Sequence, residues 1–92
     1  MTLNLAVQAG RYASGNLSVQ LLDEGEDGEL YATASVDVEG VELSDDEFVF
    51  KTYSENEGLL DEMLAAGIVL LTGRFAEVGY AGLQPVCRLL KQ

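Results

Sequence analysis

The chain has no histidine, no tryptophan, one cysteine, one proline and only five basic residues in 92. Each scarcity removes a class of chemistry. Without histidine, neither a Ser-His nor a Cys-His nucleophile pair can be assembled. A zinc ion would find one thiolate and otherwise carboxylates, which matches neither structural nor common catalytic ligand sets, so no metal is expected. The lone Cys87 excludes an internal disulfide and suits a reducing compartment. Its place between Val86 and Arg88 in a strand-like stretch reads as a buried free thiol. Gly79 and Gly82 make neither a phosphate loop nor a dinucleotide fingerprint, so no cofactor is expected. The apolar run 68–71 is far shorter than the ~20 residues of a membrane span. The first residues lack the basic and apolar regions of a signal peptide. These features together predict a cytoplasmic protein without membrane association.

What the chain has in abundance is acid. Sixteen Asp and Glu give a net charge of −11. Fifteen of them fall within residues 12–73, where Lys51 is the single base; Arg11, Arg74, Arg88 and Lys91 lie outside. Self-repulsion works against compactness, so the clustering serves either solubility or a cationic partner. Hydrophobic residues make up 48% of the chain, too many for a disordered acidic tail. The length suits one modest core, so residues 1–92 read as a single domain. Direct binding to nucleic acid or an anionic membrane is disfavoured by the sign of the charge.

Periodicity points mostly to strands. Leu3, Leu5 and Val7 alternate with polar or small residues, as do Leu17, Val19 and Leu21, and residues 11–16 between them carry turn chemistry. The polar stretch 23–29 reads as a hairpin loop. After it, Leu30, Ala32, Ala34, Val36 and Val38 face one way, and Tyr31, Thr33, Ser35, Asp37 and Glu39 the other. A fourth strand is expected over residues 47–53, rich in β-formers, and a last one over 85–90, beginning at Pro85. Between them, Ser54 and Glu57 have the spacing of a capping box. Leu59, Leu60, Met63 and Leu64 form a helical apolar stripe, and Gly67 provides a left-handed stop. Residues 72–82 read as a looser, glycine-punctuated region. The expected fold is α+β, an antiparallel sheet of about five strands with one helix packed on one face, in the order β-β-β-β-α-β.

The stretch 12–21 (Tyr-Ala-Ser-Gly-Asn-Leu-Ser-Val-Gln-Leu) is followed by 27–36 (Asp-Gly-Glu-Leu-Tyr-Ala-Thr-Ala-Ser-Val). Gly67, Thr72-Gly73-Arg74, Gly79-Tyr80 and Pro85-Val86 come later. With these residues, residues 12–89 resemble a family of small uncharacterised proteins of conjugative elements and phages. The resemblance implies a mobile-element setting and no catalytic residues, and by analogy a role against host defence.

Two uses of the carboxylates can be weighed from spacing. An EF-hand beginning at Asp23 would need an oxygen ligand where Gly25 stands and a bidentate Glu where Ala34 stands, so calcium is disfavoured. A carboxylate pair for glycoside hydrolysis lacks an aromatic-rich cleft pattern around it. The remaining use is recognition. Asp23, Glu24, Glu26 and Asp27 cluster in one loop, and Asp37, Glu39, Asp45, Asp46 and Glu47 across a strand end and turn. Asp37 and Glu39 on one strand face would sit ~6.6 Å apart, on the scale of phosphate spacing. Carboxylates present acceptor geometry similar to phosphate and can take Arg in a bidentate pair. The expected function is non-enzymatic: an anti-defence inhibitor, anti-CRISPR or anti-restriction in type, occupying the basic surface of a nucleic-acid-binding protein or complex. The alternative is a small assembly or accessory protein whose acids serve solubility. Tyr31, Tyr53 and Tyr80 are candidate interface anchors, and an edge strand leaves homodimerisation open.

Overall fold

A computed structural model describes residues 5–23 and 30–90. Among them are seven strands and one α-helix: β1 (Leu5–Arg11), β2 (Leu17–Asp23), β3 (Leu30–Thr33), β4 (Ser35–Val36), β5 (Glu47–Phe50), α1 (Leu59–Ala65), β6 (Val69–Val78) and β7 (Gly82–Leu89). The fold is α+β. The single five-stranded sheet is corrected to two antiparallel sheets, one ordered β1-β2-β3 and the other β4-β5-β7-β6.

One cause of the difference lies at Ala34. The alternating stretch after residue 30 does not continue as one strand but passes from the first sheet to the second. Ala34 N–H donates to the Val19 carbonyl at 2.8 Å, while its own carbonyl accepts from Lys51 N–H at 2.7 Å. One residue is thus bonded into both sheets. Ser35, expected on an outward face, is 2% exposed. Its hydroxyl oxygen accepts from Val19 N–H at 2.9 Å and lies 2.8 Å from the Tyr12 hydroxyl. The side chain therefore satisfies a backbone amide at the handover.

The second cause is β6, where a looser region was expected. Its register with β7 shifts between Leu71 and Phe75, a bulge containing Gly73 at φ +86°. A left-handed residue of this kind favours glycine. Thr72 Oγ1 donates to the Val86 carbonyl at 2.8 Å inside the bulge and accepts from Arg74 N–H at 3.2 Å. The glycines thus punctuate a strand instead of ending it. β7 correspondingly begins at Gly82, ahead of Pro85. Pro85 pairs with Phe75 of β6, whereas β5 joins β7 only at Val86, Cys87 and Arg88. The missing proline amide falls where β7 has lost one neighbour.

The helix carries the expected stripe, with Leu59 and Met63 buried, but its start is corrected. Ser54–Asn56 form a short 3-10 turn, Gly58 at φ +83° precedes the helix, and no side chain caps it. Asn56 explains the delay. It is 1% exposed, and its amide donates to the Thr33 carbonyl at 2.7 Å and the Lys51 carbonyl at 2.9 Å. That pins the turn between the sheets before the helix can begin. The stop is as expected. Gly67 N–H donates to Leu64 O and Ile68 N–H to Met63 O, a paired closure with Gly67 at φ +71°.

The main core lies between the first sheet, α1 and one face of the second. It joins Leu17, Val19, Leu21, Ala32 and Ala34 to Phe48, Phe50, Val69, Cys87 and Leu89. A second cluster covers the opposite face of the four-stranded sheet. There Val49, Ala76, Val78 and Val86 take contacts from Val36, Val38, Val41 and Leu43. That second layer is why all four residues of β5 are buried.

Candidate binding surface

The connection 37–46 between β4 and β5 is built from two kinds of residue. Val38, Val41 and Leu43 dock on the second cluster, while Asp37, Glu39, Glu42, Asp45 and Asp46 are exposed. Apolar docking against the sheet thus turns the intervening carboxylates toward water. The expected strand spacing of Asp37 and Glu39 is corrected: β4 ends at Val36, and both acids sit on irregular backbone that turns through Gly40 at φ +79°.

The segment is fastened along its length. Ser14 Oγ and Asn16 Nδ2 donate to Asp37 Oδ1 at 2.9 and 3.0 Å. Asn16 also reaches the Val38 carbonyl at 3.4 Å. Arg11 donates to the Asp45 carbonyl at 3.0 Å, and Arg74 to the Glu42 carbonyl. Arg88 Nε lies 3.1 Å from Asp46 Oδ2. Three of the chain's five bases hold this one segment. Two of them grip backbone carbonyls, so the carboxylates of Glu42 and Asp45 are not drawn inward.

Glu47 plays a different part from its neighbours. It is 5% exposed, with Oε1 accepting Ser44 N–H at 2.8 Å and lying 3.4 Å from Arg74 Nη1, and Oε2 3.6 Å from Arg88 Nη2. The Ser44 amide holds its pKa below the usual glutamate range, aided by the two guanidinium groups and opposed by burial. Its charge is engaged inside the protein, where it anchors both arginines. An open groove of about 690 Å³ lies beside it, lined by Asn16, Val41, Glu42, Leu43, Ser44, Glu47 and Arg74.

The structure therefore brings Asp37, Glu39, Asp45 and Asp46 together on one pinned segment, with Glu42 as an additional member. Glu47 lies beneath them. Asp23 closes β2 on the other sheet, and Glu24, Glu26 and Asp27 lie outside the described residues. Arg11, Arg74 and Arg88 were missed as organisers of the site. The available signal was their rarity, since each base in so acidic a chain has many carboxylates to choose from. Among the candidate anchors, Tyr31 and Tyr80 are 48% and 82% exposed. Tyr53 and Tyr80 meet edge to face, with hydroxyls 3.0 Å apart.

Two chemistries are poorly served here. Cys87, the one thiol, is buried, and burial pushes its pKa up to about 12, so it is protonated at neutral pH. Among the described residues no group of three or more Cys, Asp or Glu is placed to hold a metal ion. No helix among them is long and apolar enough to cross a membrane. No protein family model, no curated protein and no solved structure matches the chain. The functional reading rests on the surface itself.

Proposed function

We propose that this protein is a non-enzymatic acidic inhibitor that occupies the basic, nucleic-acid-gripping surface of a host-defence complex, in the manner of an anti-CRISPR or anti-restriction protein. A cytoplasmic, mobile-element setting fits the sequence resemblance. The observation that carries the reading is the fastening of residues 37–46 through Arg11, Arg74, Asn16 and Ser14, which uses the Asp37 carboxylate but leaves those of the exposed Glu39, Glu42 and Asp45 out of the fastening contacts. Acidic groups held in place before binding lose little freedom when a partner's arginines arrive. Long-range attraction would speed the encounter, and salt would slow it.

The test is charge reversal at Glu39 and Asp45, two exposed positions whose carboxylates make none of the fastening contacts. A nuclease-treated pull-down from native-host lysate with the wild-type chain should recover a basic nucleic-acid-binding complex that falls away as salt rises. The Glu39→Lys/Asp45→Lys variant should keep its circular dichroism spectrum and lose the complex. Equal recovery by the variant, or recovery indifferent to salt, would refute the reading.

A further inference from the structure

Strand β6 leaves its regular pairing at residues 72–74. Leu71 before them pairs with Cys87 and Phe75 after them with Pro85, so all three stand opposite Val86. A regular antiparallel pair sets one residue there, and two are therefore extra. Packing does not ask for them. None of the three is buried, and a Cβ on Gly73 would meet nothing within 4 Å, so it is the backbone, at φ +86°, that calls for glycine. What the bulge does produce is a direction for Arg74. Position 74 alternates with Phe75 and so shares a face with Ala76 and Val78, the face on which Val38, Val41 and Leu43 dock. From there Arg74, the single base on β6, reaches the Glu42 carbonyl and, at 3.4 Å, Glu47 Oε1.

Thr72 closes the break in the ladder. Its hydroxyl donates to the Val86 carbonyl at 2.8 Å and accepts Arg74 N–H at 3.2 Å. One side chain thus ties β7 to the backbone of the residue that fastens the acidic segment. We infer that Thr72 is a positioning residue of the binding surface: through the bulge it sets where Arg74 begins its reach, and thereby how firmly residues 42–47 are held. Its bearing on a partner rests on the inhibitor reading above. Bulges serve in this way beside functional sites, where they re-aim a side chain. Valine at position 72 would keep the branched shape but leave the Val86 carbonyl and the Arg74 amide without the hydroxyl that joins them.

Hydrogen exchange at the Ser44 amide, which donates to Glu47 Oε1, reads the fastening in the free protein. Thr72→Val should speed that exchange at least about threefold, the scale of one lost hydrogen bond. The Ala34 amide, bonded to the Val19 carbonyl in the first sheet, should change by less. Thr72→Ser keeps the hydroxyl and should match the wild type. In the complex recovered by pull-down, Thr72→Val should dissociate faster by a similar factor, and Thr72→Ser should not. Should the valine variant misfold, Thr72→Ala provides the same comparison. Ser44 exchange that is unchanged, or that rises no more than at Ala34, would overturn the proposal by reducing Thr72 to a general contribution to stability. So would an unaltered dissociation rate alongside faster Ser44 exchange. The exchange measurement needs no partner, so its failure is distinct from that of the inhibitor reading, which falls if the wild type recovers no basic complex.

Discussion

Replacing Glu47 by Gln removes one charge from beneath the acidic segment while keeping the side chain's shape. The amide oxygen can still accept Ser44 N–H, but the carboxylate between Arg74 and Arg88 is lost. Removing one partner of a fully buried ion pair costs about 3–5 kcal/mol. The cost here should be smaller, because the Arg74 and Arg88 side chains are 48% and 43% exposed and remain hydrated. We expect about 1–2 kcal/mol at neutral pH, which for a chain of this size lowers Tm by about 4–16 °C.

The pH dependence supplies the sharper criterion. A carboxyl whose folded pKa is depressed stabilises the protein above its unfolded pKa, and that contribution is lost as pH falls through the folded value. The wild-type advantage over Glu47→Gln should be full at pH 7 and shrink as pH drops below the usual glutamate value of about 4.3. Urea unfolding of both proteins at pH 7 and in acid measures the difference, and the other carboxylates largely cancel in the comparison. Equal stability at pH 7, or a constant difference across the acid range, would refute the role assigned to Glu47.

Asn56→Asp should destabilise strongly, by about 2–4 kcal/mol, because a buried carboxylate would replace the amide that donates to the Thr33 and Lys51 carbonyls. Chemical denaturation measures the loss, and a fall below about 0.5 kcal/mol would show that Asn56 does not tie the sheets together. Cys87 should resist a disulfide-exchange reagent at pH 8 in the native state and react promptly in urea, since burial raises its pKa and blocks access. Rapid native reaction would contradict its placement in the core.

The parts of the fold legible in the sequence are those set by local period. Leu17, Val19 and Leu21 repeat every second residue and are all buried, and the Leu59–Met63 stripe repeats at helical spacing. What could not be read depends on distant partners. The alternation after residue 30 is continuous through Ala34 because Ala32 and Val36 serve different cores with the same period. Nothing local reveals that the strand changes sheets there. Residues 72–82 read as a looser, glycine-punctuated region, yet β7 is available to pair on both sides of Thr72-Gly73-Arg74, so tertiary pairing makes those residues a bulge within a strand. Within the acidic patch, composition located the 37–47 cluster but could not separate its layers. Glu47 shares its sheet face with Val49, and both are buried because residues 38–43 fold back over them.

The fastening of that segment is the strongest physical reason to read its acids as more than a solubilising coat. A loose acidic loop repels other molecules as well as a fixed one, and fixing backbone costs about 1–2 kcal/mol per residue in lost entropy. Here three scarce bases hold the chain in place. Two grip carbonyls, Arg88 alone pairs with an exposed carboxylate, and Glu47 secures Arg74 and Arg88 from below. Neutralising the exposed acids would have relieved repulsion more directly. The arrangement leaves the carboxylates of Glu39, Glu42 and Asp45 out of the fastening and limits how far the segment can move, as the proposed recognition of a cationic surface would require. On the proposed function, Arg11 and Arg74 would have a measurable part in binding that does not depend on touching the partner. Arg74→Gln should leave exposed acids in number but free the segment that bears them, weakening the complex through faster dissociation while the salt dependence of association persists. A variant that dissociates no faster than the wild type would show that the fastening is incidental to binding.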